Sequence, residues 1–341
     1  MPRVPRPGVC VRGLLALVAV WPSTAQPAHG AVRDVWIAAV PAVFDVMPWG
    51  GRDPITGATR TREQRIGPTV IFRRTTRKWR RPLRNSQASI APRDGIPGPL
   101  IRARVGDRIR VHFKNLDFAT GRAHSMHFHG VRYKPDSDGA FVPGISGRDG
   151  NVVPGHNVTY RLDAIAGSEG VWPYHDHGPH MHESIEGGMY GALSIAGRRE
   201  RRPDREFVVV FNPLHDFESI NNRAFIRNTP TFRSRAGDLV QWDVVAMGSS
   251  HHTFHVHGHR WRDRDGTALD TRTVGPAESF RVRWVERDPG TWLYHCHRED
   301  HMERGMIGLY EVAATHARAR SRQRRMRSGP GPRTIRSPAS T

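Results

Sequence analysis

The chain has 341 residues, 37% of them hydrophobic and 8% aromatic, enough for about two domains that each bury a core. Its net charge of +20 is concentrated at the ends, where three arginines precede residue 32 and eight follow residue 317 without an acid, leaving +9 for the rest. This gives no weight to a nucleic-acid-binding function, and no apolar run is long enough to stay in a bilayer as a spanning helix.

Residues 1–31 read as an export signal. Arg3, Arg6 and Arg12 precede the apolar run GLLALVAVW (13–21), and the small-residue stretch STAQPAHGA follows it. The expected location is secreted or periplasmic. Cys10 lies ahead of the apolar run, so a processed chain keeps only Cys296. A single cysteine in an exported protein cannot close an internal disulfide, which points to a metal ligand or a reactive thiol.

From there the chain writes one module twice. IRARVGDRIRVHFKN (101–115) answers to FRSRAGDLVQWDVVA (232–246), each an alternating strand opened by Gly-Asp. HSMHFHG (124–130) answers to HHTFHVHG (251–258), GVWPYHDH (170–177) to GTWLYHCH (290–297), and GGMYGALSI (187–195) to RGMIGLYEV (304–312). Short alternating strands broken by many of the 34 Gly and 26 Pro predict an all-β fold, two tandem Greek-key β-sandwiches over 32–197 and 206–314. RRERRPDR (198–205) is the linker between them. The arginine-rich tail, 315–341, has no hydrophobic period and is expected to be disordered and suited to anionic surfaces.

Most of the 20 histidines lie between 124 and 301. Strand residues i and i+2 face the same way, so His-x-His on a strand offers two imidazoles side by side to a metal. Chance gives about one such pair at this composition, and the chain holds six. Four of them, His127/His129, His175/His177, His255/His257 and His295/His297, stand at equivalent points of the two copies. Imidazole alone suits zinc, copper, iron or nickel. Cys296 decides, because His252, Cys296, His301 and a distant Met306 form the trigonal blue-copper set, whereas structural zinc would want several thiolates. Cys296 lies between His295 and His297 on a strand, so its metal and theirs sit on opposite faces, a few covalent bonds apart.

These motifs resemble those of the multicopper oxidases: HFHG (127–130), HDH (175–177), HTFHVHGH (252–259) and HCHREDHMERGM (295–306), in the same order. The second half, from INNRAFIRNTPTF to WLYHCH, is similar to two-domain small laccases. The first, with VWIAAVPAVFDVMP, DPITG and HFHGVRYKPDSDGA, is similar to ceruloplasmin-like domains. The resemblance implies cupredoxin-like domains and four coppers per subunit. Type 1 copper would be held by His252, Cys296, His301 and Met306, and type 2 copper by His127 and His255. One type 3 copper would take His129, His175 and His297, and the other His177, His257 and His295. The resemblance also implies that the cluster forms between neighbouring subunits of a homotrimer. His259 is expected to fix local geometry. His124, His180 and His182 fall roughly where a first-domain type 1 site would be. With Asp176 in place of the thiol they read as a vestige or as surface histidines.

The implied reaction is one-electron oxidation of a reducing substrate at type 1 copper, coupled to four-electron reduction of dioxygen to water at the trinuclear cluster. Oxygen reduction consumes protons, and Asp176, between two cluster ligands, is the candidate catalytic donor, with a purely hydrogen-bonding role as the alternative. The laccase-like expectation for the substrate is a phenol or aromatic amine. The alternative is a metallo-oxidase acting on Fe(II), Mn(II) or Cu(I), which Glu299, Asp300 and Glu303 around His301 would suit. A copper-binding or electron-transfer protein without turnover is disfavoured by the eight cluster histidines. Nitrite reductases, by the same resemblance, keep their thiolate in the first domain, which disfavours that activity here.

Overall fold

The repeat seen in the sequence becomes two β-sandwiches that share an interface. The computed structural model describes residues 30–82, 95–214 and 216–314. The arginine-rich tail and all but the last two residues of the expected export signal lie outside the described residues.

In the first sandwich one sheet runs in the order Ile66–Arg74, Val32–Asp45, Arg108–Asn115, Asn157–Asp163, Arg132–Tyr133. It packs on a second sheet in the order Ile101–Arg104, Tyr190–Ala196, Gly170–His175, His127–Phe128. Alternation decides what fills the space between them. Along Arg108–Asn115, Ile109, Val111 and Phe113 are buried while Arg108 and Arg110 are exposed.

The second sandwich pairs Phe217–Ile220, Arg205–Leu214, Leu239–Ala246 and Ser279–Val285 in one sheet. The other holds Thr231–Arg235, Ile307–Ala313, Gly290–Cys296, His252–Val256 and Thr271–Val274. Both copies contain the same two parallel pairings. Val32–Asp45 lies along Arg108–Asn115 as Arg205–Leu214 lies along Leu239–Ala246. Ile101–Arg104 lies along Tyr190–Ala196 as Thr231–Arg235 lies along Ile307–Ala313. The all-β architecture expected from the sequence holds.

A third core lies between the sandwiches, where Phe44, Ile96, Leu100 and Tyr190 meet Val208, Phe217, Phe225 and Val245. Each large side chain buried there contributes about 1.5–3 kcal/mol. The contact explains one departure from alternation: Leu239–Ala246 is buried continuously from Val240, because its outer face packs on the first domain. Ser279 Oγ donates to Val171 O (2.5 Å) and Arg281 to Ile195 O (2.9 Å), so hydrogen bonds cross the seam as well.

Candidate metal centres

Each histidine pair is placed by a local device present in both copies. In HFHG and HVHG the glycine leaves the strand in a left-handed conformation, φ +72° at Gly130 and Gly258 alike. A Cβ there would lie 2.0 Å from the Trp172 ring or 2.7 Å from that of Trp292, so only glycine lets the tryptophan of the next motif close over the turn. The pairs then meet in register, His127 opposite His175 and His255 opposite His295.

On the inner face of Gly290–Cys296, three donors converge. Nδ1 of His252 and Nδ1 of His301 are 3.0 Å apart and lie 3.9 and 3.6 Å from Cys296 Sγ. All three residues are buried, as is Met306, whose carbonyl accepts from Cys296 N at 3.1 Å. Burial, then the nearby charges of His301 and Arg298, push His252 down to about 3; burial and Arg298 push His301 down to about 4. Both imidazoles are therefore neutral, with lone pairs available. Burial raises the Cys296 thiol, although the Thr253 N–H donates to Sγ at 3.3 Å. The N–H contacts and the Arg298 charge do not offset burial, so the group that this N₂S set fits is a soft metal ion that displaces the thiol proton.

The outward faces carry two quartets. His127, His129, His175 and His177 have neighbouring ring centroids 5.1–5.7 Å apart, and His255, His257, His295 and His297 repeat this at 5.2–5.5 Å. Backbone carbonyls fix four of the rings. Nδ1 of His127 donates to Asp138 O and Nδ1 of His255 to Asp270 O, both at 2.7 Å. Nδ1 of His175 donates to Asp176 O and Nδ1 of His295 to Cys296 O, both at 2.9 Å. Each of these rings is left with a lone pair on Nε2, the tautomer a metal ligand needs. Nε2 of His175 faces Nε2 of His129 at 3.3 Å, and Nε2 of His295 faces Nε2 of His257 at 3.1 Å. Burial, with repulsion from their neighbours, holds His129, His175 and His295 down to about 4. Crowded neutral imidazoles of this kind fit bound cations. Among the described residues no ring contact or hydrogen bond joins one quartet to the other.

The inner face of the first domain holds something different. Asp176 takes the place of Cys296, its N–H donating to Met189 O (2.9 Å) as that of Cys296 donates to Met306 O. Its carboxylate is turned inward, where Oδ2 bonds His124 Nδ1 (2.9 Å) and Oδ1 accepts from Ser125 N (2.8 Å) and Gly178 N (3.0 Å). The other nitrogen of His124 meets Asp117 Oδ2 at 3.2 Å. Burial opposes charge on all three, yet hydrogen bonds win: His124 is raised by Asp176 and Asp117, Asp176 is lowered chiefly by His124, and Asp117 is lowered by Thr120 and then by His124. An imidazolium between two carboxylates stands where the second domain has its N₂S set. Asp176 therefore presents its carboxylate to His124, on the face opposite the quartet it was expected to serve.

His180 and His182 do not belong to this inner site. Both are exposed, on and before the short helix Met181–Glu186. The counterpart of His301 is Ser184: Met189 N donates to Ser184 O (2.9 Å) as Met306 N donates to His301 O (3.0 Å). Counting back from the methionine finds it, since both lie five residues before; counting forward from the HDH motif does not.

Three further residues were not legible as site residues. Asp138 places Oδ1 3.5 Å from His127 Nδ1, and the Tyr133 ring stands edge-on to His127 at 6.1 Å. Glu218 reaches His301 from the distant strand Phe217–Ile220, with Oε1 3.9 Å from Nε2. Glu299, Asp300 and Glu303 are exposed, and Asp300 is tied to Arg298 (2.9 Å) although its Oδ2 also lies 3.7 Å from His301 Nε2. His259 donates from Nδ1 to His257 O (2.7 Å) and pairs through Nε2 with buried Glu286 (3.1 Å), which braces the second quartet from behind.

The same regions match known proteins. The multicopper oxidase family is matched over residues 74–200 and again over 198–316. A probable nitrite reductase–hydroxylamine oxidoreductase fusion protein of Kuenenia stuttgartiensis is 30% identical over 240 residues, 64% of this chain and 27% of that protein. Human ferroxidase HEPHL1 is 28% identical over 345 residues, 82% of this chain and 29% of that protein. The chain thus spans less than a third of the length of these curated relatives. A crystal structure of a multicopper oxidase superposes with a TM-score of 0.63 at 25% identity, covering 83% of this chain and 89% of that one. With both repeats matched in turn and the histidine pairs of each lying inside the matched regions, the chain belongs to the multicopper oxidase family.

Proposed function

We propose that this chain is a copper-dependent oxidase that takes single electrons from a metal-ion substrate of the Fe(II) class beside His301 and delivers them to dioxygen at the histidine quartets. The observation that carries the choice of substrate is Glu218. Its Oε2 is buried with no hydrogen-bond partner, and Oε1 and Asp300 Oδ2 both approach Nε2 of His301. Burial raises the Glu218 carboxyl, which Arg304 at 3.8 Å only partly offsets. A cationic substrate supplies the missing countercharge, whereas a phenol leaves it unmatched. The ferroxidases among the relatives support this reading. The phenol-oxidising reading that the sequence placed first draws no support from these two carboxylates.

Copper held by His252, Cys296, His301 and Met306, and by the eight quartet histidines, would supply the one-electron redox chemistry. The chain's own residues position it: Thr253 N–H steadies Sγ, and the strand carrying Cys296 links the two faces through His295 and His297. Asp138, partly exposed beside His127, is placed to carry protons toward the quartet, the task its orientation denies Asp176.

Oxygen uptake by the copper-loaded protein tests the reading. Fe(II) should drive saturable uptake, and Glu218→Gln should raise KM for Fe(II) about tenfold with the visible absorption unchanged, the scale of one charge-assisted contact. Uptake with a phenol but not with Fe(II), Mn(II) or Cu(I) would sink the metal-ion substrate; uptake with none would sink the oxidase.

Since one chain holds each quartet apart, completion of the cluster by a neighbouring subunit in a homotrimer is part of the proposal. His127→Ala and His255→Ala variants should each be inactive alone. Co-assembled, they should recover activity, because one interface type then combines two intact quartets. Failure of the mixture, in trimers shown to be mixed by successive purification on a different affinity tag for each variant, would place the cluster within one chain. Export, expected from the N-terminal stretch, belongs to the same proposal.

A further inference from the structure

A cleft of about 210 Å³ lies at the seam between the domains, far in sequence from the histidine motifs. Its walls carry six arginines, Arg33, Arg102, Arg104, Arg201, Arg202 and Arg281, against two carboxylates, Glu200 and Glu206. Three of these arginines come from the first domain, two from the RRERRPDR linker and one from the second domain.

The charges do not cancel. Arg102 bonds Glu206 at 2.7 Å, Arg281 bonds Asp243 at 2.7 Å, Arg201 meets Asp204 at 3.1 Å, and Arg33 is paired with Asp107. Glu200 is occupied by Arg283 (2.6 Å) and by the Gly197 N–H (2.7 Å), and Glu206 also accepts from Ser194 Oγ (2.7 Å). Every carboxylate facing the cleft is thus already matched. Arg104 and Arg202 remain. Arg104 is half-buried, and Nη1 donates only to backbone carbonyls, those of Gly197, Arg198 (3.3 Å) and Glu200 (3.1 Å). No ion pair is formed by either Arg104 or Arg202 among the described residues. A half-buried guanidinium whose only partners are neutral leaves a positive field in a concave space, which an anion resolves.

We infer that this cleft binds a tetrahedral oxyanion, a phosphate group free or at the end of a small monoester, held by Arg104 and Arg202. The planar fork of arginine matches phosphate oxygens. The volume falls below the roughly 300 Å³ at which drug-sized ligand pockets begin, so the occupant is compact. Since Arg104 belongs to the first domain and Arg202 to the linker, a bound oxyanion ties the linker to the first domain. It stabilises the folded chain by mass action and leaves the copper chemistry untouched.

Binding is measured on the copper-loaded full-length protein by calorimetry and by thermal unfolding. Inorganic phosphate and glycerol 2-phosphate are the probes, with sodium chloride at matched ionic strength as control. Saturable binding of one phosphate per chain is expected, with a rise in Tm that chloride does not give. A response to glycerol 2-phosphate as well would show that the group is also taken as a monoester, while a response to inorganic phosphate alone would restrict the site to the free ion. Arg202 is exposed and its side chain makes no hydrogen bond or ion pair among the described residues, so Arg202→Ala should fold normally and weaken phosphate about tenfold. Arg104→Lys, which keeps the charge but loses the fork, should weaken it as well. The proposal is overturned if phosphate gives no more than chloride, or if Arg202→Ala binds phosphate as tightly as the parent protein.

Discussion

Replacing Cys296 with serine should abolish the intense visible absorption of the copper-loaded protein and cut oxygen uptake by on the order of 10³-fold or more, the scale seen when an obligatory group is removed. Serine is close in size, and Sγ lies in a fully buried position whose N–H contact from Thr253 an Oγ can keep. The fold should therefore survive, and the effect will be electronic rather than structural. A hydroxyl buried among Phe254, Tyr294 and Met306 will not ionise, so the N₂S set loses its soft anionic member while both imidazoles remain. Copper at the quartets should persist, because His295 and His297 face the other way. Copper analysis, absorption and oxygen uptake on the same sample separate the outcomes. Survival of the colour would refute the assignment of His252, Cys296 and His301 as the blue site.

How much of this was legible in the sequence depends on what each residue rests upon. The quartets were legible because a strand's period of two and the doubled module both act over short stretches, and Gly130 and Gly258 with their tryptophans sit inside the same motifs. The convergence of His252 on Cys296 was legible for the same reason, one copy of the module serving as template for the other. Glu218 was not, since only the sheet topology brings its strand beside the short helix Glu299–Glu303 that carries His301. Ser184 was hidden by a longer loop between Asp176 and Met189 than between Cys296 and Met306, which carries His180 and His182 out to solvent. The orientation of Asp176 was not legible from position alone. Its neighbours in sequence face the quartet, but its own side chain, one residue out of phase, faces the core.

That reversal gives the second large effect. His124→Ala should destabilise the folded protein by about 3–5 kcal/mol, because it leaves Asp117 and Asp176 buried without their shared countercharge. Urea unfolding followed by intrinsic fluorescence measures it. The pH profile carries the sign. The folded His124 binds its proton more tightly than the unfolded chain does, so its contribution is complete below about pH 6.5 and is lost as pH rises through the folded value. Asp117 and Asp176 are shifted the other way, so theirs is complete above about pH 4 and is lost as pH falls through their folded values. Between about pH 4 and 6.5 all three act together; His124→Ala should erase the alkaline limb and lower the plateau. Asp176→Asn separates this structural role from catalysis. It keeps the shape of the side chain and its acceptor oxygen for Ser125 N but removes the charge facing His124. Stability should fall while oxygen uptake at saturating substrate stays within about twofold, the behaviour of a group that makes no contact in the transition state. A large loss of oxygen reduction with unchanged unfolding would instead return Asp176 to the proton path, and the inward carboxylate would have to be reached from the quartet through the strand that carries it.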